Sequence, residues 1–381
     1  MESAFDCNLP DNSTGSVILT PGIVSANGNS RMKQGNGDDM SKFLWVLACL
    51  LCTPGLVWAE PATATAVALH GTLEVRGARI VDQRGEVFSA AGPSLFWGNK
   101  GWMERADYGP DEYYNADVVA YVQREWNAPI IRIAMGSESR GGYIHDPEGR
   151  WDRITAVADA AIEQGMYFIV DWHSHRAEEH PVEAEAFFRR VARRYGSTPN
   201  LIYEIYNEPL DTTDWSSVIK PYSERVIRAI REIDPDNLIV VGTQTWSQDV
   251  DKAADDPIEG FDNLAYALHF YAGTHKQELR DKADYAMAKG LPIMVTEWGT
   301  VNANGDGGVD PDSSRAWLEW MRERGLSHCN WSLHSKREGA SMLVPGSAPD
   351  ADWGDENFTP SGLFVREAIR GWHPVDYAGA E

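Results

Sequence analysis

Between Leu69 and Trp331 short apolar runs recur along the chain, each bounded by polar, Gly or Pro positions. Eight of them read as buried strands: Ala90–Leu95, Ile130–Met135, Tyr167–Trp172, Leu201–Tyr206, Leu238–Val241, Leu264–Phe270, Pro292–Thr296 and Leu326–Trp331. Nearly continuous apolar runs are what strands covered on both faces require, as in a parallel sheet flanked by helices. Between the runs the spacing becomes helical. Ile154, Val157, Ala158, Ala161 and Ile162 lie on one face and stop at Gly165; Ala184, Phe187, Phe188, Val191, Ala192 and Tyr195 do the same and stop at Gly196. Upstream, Leu73–Ile80 and Val87–Ala91 flank the turn-like Asp82-Gln83-Arg84-Gly85, which predicts an opening hairpin. Strands alternating with amphipathic helices over roughly 250 residues predict an α/β fold, a (β/α)8 TIM barrel with an N-terminal β-hairpin. An open doubly wound sheet would carry a glycine-rich phosphate loop after its first strand, and Pro93-Ser94-Leu95-Phe96-Trp97 is not one. The tail from Glu338 is rich in Pro, Gly and acidic residues but keeps Phe358, Leu363, Phe364, Val365 and Ile369, predicting a last helix over Ser361–Gly371 packed on the barrel.

The first 59 residues break this pattern. Met40-Ser41-Lys42, the apolar run Phe43–Leu51 and the small-residue site Val57-Trp58-Ala59 read as a secretory signal peptide over residues 40–59, cleaved near Ala59. The apolar run is too short for a permanent bilayer span. Residues 1–39 are polar and aperiodic, and read as a disordered or untranslated extension ahead of a start at Met40. Residues 60–381 then form a single catalytic barrel domain, extracellular or periplasmic, monomeric and free of the membrane once the signal is removed. Cys7, Cys49 and Cys52 would leave with the leader, and Cys329 alone cannot form an internal disulfide.

Composition narrows the ligand. A formal charge of −23 argues against nucleic acid, whose binders concentrate basic surface against phosphates. A neutral, hydroxyl-rich ligand needs no net charge but does need flat apolar faces, and 15 Trp and 14 Tyr are enough to fill a core and still line a cleft.

In a barrel the reactive groups stand where strands end, at the C-terminal face. The polar residues at those ends are Arg132, then Asp171, His173 and His175, then Asn207 and Glu208, then His269 and Tyr271, then Glu297, with Trp331 on the last strand. Two carboxylates facing each other across a cleft can break a glycosidic bond, one protonating the departing oxygen and the other attacking or activating water. Glu208 and Glu297 are that pair, and no cofactor is required. Asp171-x-His173-x-His175 places alternate residues on one side of a strand and could also suggest metal ligands. A zinc hydrolase would need a further ligand and a base, which the two glutamates make unnecessary. Asn302-x-Asn304-x-Asp306-Gly307 resembles the start of a calcium loop, but its twelfth position is Ser313 where a bidentate glutamate belongs.

Ile205-Tyr206-Asn207-Glu208-Pro209 and Val295-Thr296-Glu297-Trp298-Gly299 resemble the acid/base and nucleophile signatures of glycoside hydrolase family 5, in its bacterial endoglucanase branch. Val170–His175, His269–His275 and Asn330–Leu333 resemble that branch in the same order, so the likeness runs from about Leu69 to Ile369. The resemblance implies a retaining endo-β-1,4-glucanase acting on cellulose-type polysaccharide. A mannanase or mixed-linkage glucanase of the same family is the alternative, and an inert carbohydrate-binding barrel the alternative from another class. It makes Glu208 the general acid/base and Glu297 the nucleophile, and Glu208 is expected to hold its proton at higher pH than Glu297. Arg132 is expected to hold Glu297 ionised, to pair with Glu204 inside the barrel, or both. Asn207 would bond the sugar 2-hydroxyl, Tyr271 would donate to the nucleophile, and His269 would lie beside the acid/base. His173 and His175 would line the substrate cleft, and Trp331 would floor it. Trp97, Trp246, Lys336 and Glu338 match outer sugar subsites, with core packing an equal reading for Trp246.

Overall fold

A computed structural model describes residues 64–100 and 107–377. The extension and signal-peptide readings lie outside the described residues. The strands in chain order are β1 (Glu74–Arg76), β2 (Arg79–Val81), β3 (Ala91–Leu95), β4 (Ile130–Gly136), β5 (Tyr167–His173), β6 (Leu201–Glu204), β7 (Ile239–Val241), β8 (Leu264–Tyr271), β9 (Ile293–Gly299) and β10 (His328–Leu333). β3 to β10 close into a parallel barrel in sequence order, with β10 returning beside β3. All eight apolar runs are therefore barrel strands.

The opening hairpin forms one turn earlier than its sequence suggests. β1 and β2 pair antiparallel around Gly77, whose φ of 59° suits a residue without a Cβ. The Asp82–Glu86 stretch makes a second turn closed by the lone bridge Val81–Val87. Asp82 organises it, its Oδ1 accepting from the backbone N–H of Arg84 and Glu86.

Helices fill the returns, and their starts are written into the chain. Asn115, Asp146, Asp310 and Thr359 each accept from the backbone N–H three residues on, caps that contribute about 1 kcal/mol each. Pro147, Pro181, Pro311 and Pro360 open their helices, where a missing N–H costs nothing. The final helix, Pro360–Arg370, lies where the tail pattern predicts it.

Period-two alternation sorts the strand residues into two layers. Ile131, Ile133 and Met135 of β4 and Phe168, Val170 and Trp172 of β5 face the helices. Ile130, Tyr167, Ile169, Ile202, Leu238, Val240, Ala265, Ala267, Met294 and Cys329 fill the barrel interior, joined by Ala66, Leu73, Ile80 and Phe88 from the N-terminal segment. The hairpin region thus packs against the inner core at the end where the strands begin, and the opposite end is left for chemistry. Among the described residues no helix is long and apolar enough to cross a membrane.

Candidate active site

The same alternation that fills the lower barrel delivers polar groups above it. β4 continues from Ile130 to Arg132, β5 from Ile169 to Asp171 and His173, β6 from Ile202 to Glu204, and β8 from Ala267 to His269 and Tyr271. β9 does not keep step. Its pairing shifts against both neighbours, with Ala267 and His269 opposite Met294 and Glu297, and His328 and Asn330 opposite Val295 and Trp298. The extra residue is a bulge, and bulges re-aim side chains. Here it turns both Thr296 and Glu297 inward. Thr296 Oγ1 donates to Glu204 Oε1 at 2.6 Å and lies 2.9 Å from His269 Nε2, while Glu297 faces Arg132 and Tyr271.

Arg132, wholly buried, is the hub. Its guanidinium reaches Glu297 Oε2 at 3.0 Å, Glu204 Oε2 at 2.7 Å and Asp171 Oδ2 at 2.8 Å. It also donates to Asn207 Oδ1 at 2.6 Å, which leaves the Asn207 amide Nδ2 as that side chain's donor. Both expected partners, Glu297 and Glu204, are therefore real. Tyr271 O–H completes the setting of Glu297 at 2.7 Å from Oε1; burial, then the charge of Glu297, pushes its phenol well above the usual range, so it remains a donor.

Glu208 follows β6 on a segment that still bonds to the end of β5, with its N–H donating to Ser174 O. Each carboxylate oxygen meets an imidazole, Oε1 at 3.0 Å from His269 Nδ1 and Oε2 at 3.2 Å from His175 Nε2. One oxygen of Glu208, one of Glu297 and a ring nitrogen of His269 all lie within 4.8 Å of one another. A pair this close fits the retaining spacing of about 5–5.5 Å, and not the wider gap of about 6.5–9.5 Å that admits a water between them. This trio is the group of potential metal ligands that converges among the described residues, and His173 and His175 are not part of it.

The proton order in the free site reverses the expected one. Burial works to raise Glu208, but the bonds from His175 and His269 outweigh it and hold the acid at about 2. Glu297 is pushed up, by burial first and by the charge of Glu208 second. Arg132 cannot offset this alone, because three carboxylates share its one charge. Against burial, which lowers it, His269 is raised to about 9 by Glu204 and Glu208, and His175 is raised by Glu208. At neutral pH the His269 imidazole therefore carries the proton nearest Glu208. Burial pushes Asp171 up and His173 down, and the two side chains are linked at 2.6 Å.

Apolar faces border these groups. Trp331 stacks on His173 with ring centroids 4.9 Å apart and planes 4° from parallel, and packs with Phe96, Ala134, Val301 and Ala340. Trp97 stands edge-on to both His173 and His175. Lys336 pairs with Glu338, which also bonds His334 at 3.1 Å, and the Lys336 ammonium sits 5.2 Å from the Phe96 ring. Trp246 is half-buried in the turn that follows β7 and is not part of the hydrophobic core. It belongs to a run, Thr245, Trp246 and Ser247, whose φ angles are 61°, 53° and 57°. Left-handed backbone costs each residue bearing a Cβ about 1–2 kcal/mol. Sequence reading missed this turn and the inward role of Thr296, and it did not weigh Glu138, which accepts from Ser174 Oγ at 2.9 Å behind His175.

A closed (β/α)8 barrel with two facing carboxylates, each held by its own partners at the strand ends, defines a glycoside hydrolase. Residues 81–337 match the family profile described as cellulase (glycosyl hydrolase family 5), and the chain belongs to that family. It is 51% identical over 284 residues to Endoglucanase Z of Dickeya dadantii, an alignment covering 74% of this chain and 63% of that protein. It is 41% identical to an endoglucanase of Clostridium saccharobutylicum, over 84% of this chain and 69% of that one. The chain thus spans about two thirds of the length of these curated relatives. Among solved structures it resembles a Cytophaga hutchinsonii protein (TM-score 0.76, 44% identity, covering 80% of this chain and 96% of that one). It also resembles the catalytic domain of Thermobifida fusca endoglucanase Cel5A (TM-score 0.74, 30% identity, 81% and 100% covered), for which a complex with cellotetraose is known.

Proposed function

We propose that the chain is a retaining endo-β-1,4-glucanase that cuts internal bonds of soluble or cellulose-type β-glucan by double displacement. The observation that carries this reading is the spacing and unequal surroundings of Glu208 and Glu297. Glu297 attacks the anomeric carbon while Glu208 delivers a proton to the glycosidic oxygen; the C–O bond to the leaving sugar breaks and a glycosyl ester forms on Glu297. Glu208, now a carboxylate, takes a proton from water as that water attacks the same carbon, restoring both carboxyl groups and the original configuration. In the free site His269 holds the proton nearest Glu208, and a glycosidic oxygen seated against Glu208 draws it across their 3.0 Å hydrogen bond. Asn207 donates Nδ2 to the sugar 2-hydroxyl, Tyr271 and Arg132 orient Glu297, and Trp331 floors the sugar under attack. His173 and His175 line the cleft, and Trp97, Trp246, Lys336 and Glu338 serve outer subsites. The signal-like residues 40–59 support secretion of the enzyme.

The test is a panel of β-1,4-glucan, mixed-linkage glucan, mannan and xylan, with reducing ends and viscosity followed together. Rapid viscosity loss on β-1,4-glucan at low reducing-end release is expected. Preference for mannan or mixed-linkage glucan would move the reading to that sister activity, and glucose release at constant viscosity would refute endo action.

A further inference from the structure

The left-handed run Thr245–Ser247 lies directly against the segment that carries the acid/base. Trp246 N–H donates to Pro209 O at 2.8 Å, and Ser247 Oγ donates to Asn207 O at 2.7 Å while accepting from Thr243 N–H at 3.2 Å. Gly242 lets the two strand ends meet, since a Cβ there would stand 2.0 Å from Tyr206 O. The far side of the turn is clamped by buried Asp249. It accepts from Thr245 Oγ1 at 2.7 Å and pairs with Lys252 at 2.8 Å and with Lys282, on the helix Gln277–Ala288, at 2.5 Å. A loop that only joined β7 to the helix Val250–Asp255 could place glycine at these positions and avoid the strain. Thr, Trp and Ser stand there instead. Two of the three side chains, those of Thr245 and Ser247, hold the turn in place, and strain retained in this way is characteristic of functional sites.

We propose that Ser247 and Asp249 are positioning residues, which lock the left-handed turn onto Asn207–Pro209 so that the acid/base segment and the Trp246 ring are set as one unit. The proposal rests on reading Glu208 as the acid/base and Trp246 as an outer-subsite face. Ser247 fixes the Asn207 carbonyl, which belongs to the peptide unit joining Asn207 to Glu208. Asp249 fixes Thr245, and so the direction in which the Trp246 side chain leaves the backbone.

Two substrates separate this role from general support of the fold. Cellopentaose needs a proton on its leaving group and reaches outer subsites, whereas 2,4-dinitrophenyl β-cellobioside needs neither. For Ser247→Ala, kcat/KM on cellopentaose should fall about tenfold, within the roughly 100-fold that an ångström of misplacement can cost. Activity on the aryl substrate should stay within about twofold. Thr245→Gly relieves the strain, so its melting temperature should hold or rise while KM for cellopentaose increases. Asp249→Asn, which keeps an acceptor for Thr245, should retain more cellopentaose activity than Asp249→Ala. Parallel losses on both substrates that track melting temperature would overturn the proposal, as would unchanged cellopentaose kinetics in Ser247→Ala and Thr245→Gly. Wild-type enzyme inert on both substrates would sink the functional reading, and this proposal with it.

Discussion

The lower and upper halves of the barrel interior are built by the same strands, yet they carry opposite chemistry. Below, Ile130, Tyr167, Ile169, Ile202, Ala265 and Met294 form an apolar plug continuous with the N-terminal segment. Further along those strands stand Arg132, Asp171, Glu204, His269 and Glu297, all buried. Apolar burial stabilises by about 25 cal/mol per Å2, whereas the attraction between buried charges is largely cancelled by their desolvation. Within the interior, stabilisation therefore comes mainly from the lower half. The upper half holds charges in place at little net gain, which is what a site that must present ionised and protonated groups together requires.

Substitutions that exchange these roles should break the comparison. The largest effect is expected at Glu297→Gln, where kcat should fall by about four to six orders of magnitude, the scale set by loss of a covalent nucleophile. Its melting temperature should hold or rise, because one of two repelling buried carboxylates is neutralised. Glu208→Ala should lose about 10²–10⁴-fold on natural substrate, keep its reaction with an activated aryl glycoside, and yield a β-glycosyl azide when azide is added. The lower half should behave in the opposite sense. Met294→Ala should remove about 2–5 kcal/mol of stability, measured by denaturant unfolding, with kcat per folded molecule unchanged.

Two smaller effects would sharpen the account by pH. His269 rises from 6.5 to about 9 on folding, so its contribution to stability is fully present below pH 6.5 and is lost as pH climbs through about 9. Unfolding midpoints followed from about pH 6 to 10 should fall more steeply in wild type than in His269→Gln. Equal slopes would place the proton elsewhere. Glu204→Gln should return to Glu297 a larger share of the Arg132 charge and move the acidic limb of kcat/KM down by about one pH unit or less. A shift upward would contradict the shared-guanidinium argument.

β8 and β9 show how far the sequence could be read. β8 keeps strict alternation, so Ala265, Ala267, His269 and Tyr271 all point inward and can be assigned from spacing alone. β9 carries its bulge before Glu297, and no residue type in Val295-Thr296-Glu297 signals it. Spacing would turn Thr296 and Glu297 to opposite faces. Glu297 was recognisable from its motif and Thr296 was not. The eight strands and both glutamates were legible because hydrophobic period and strand-end position fix them locally. The proton order was not, since it depends on two imidazoles brought from β8 and from the segment after β5 onto one carboxylate. The left-handed turn was hidden for the same reason: Thr245-Trp246-Ser247 contains no glycine, and contacts with residues distant from it in sequence, Asn207 and Pro209, help to hold it.

The central claim is that Glu297 bonds covalently to the sugar while Glu208 manages the proton. It is tested most directly by proton NMR of the first product released from a soluble cello-oligosaccharide, recorded before the anomers equilibrate. Two inversions at one carbon predict that the β-anomer appears first and the α-anomer grows in only by mutarotation. An α-anomer released first would mean a single displacement by water, with Glu297 acting only as a base, and would contradict the account.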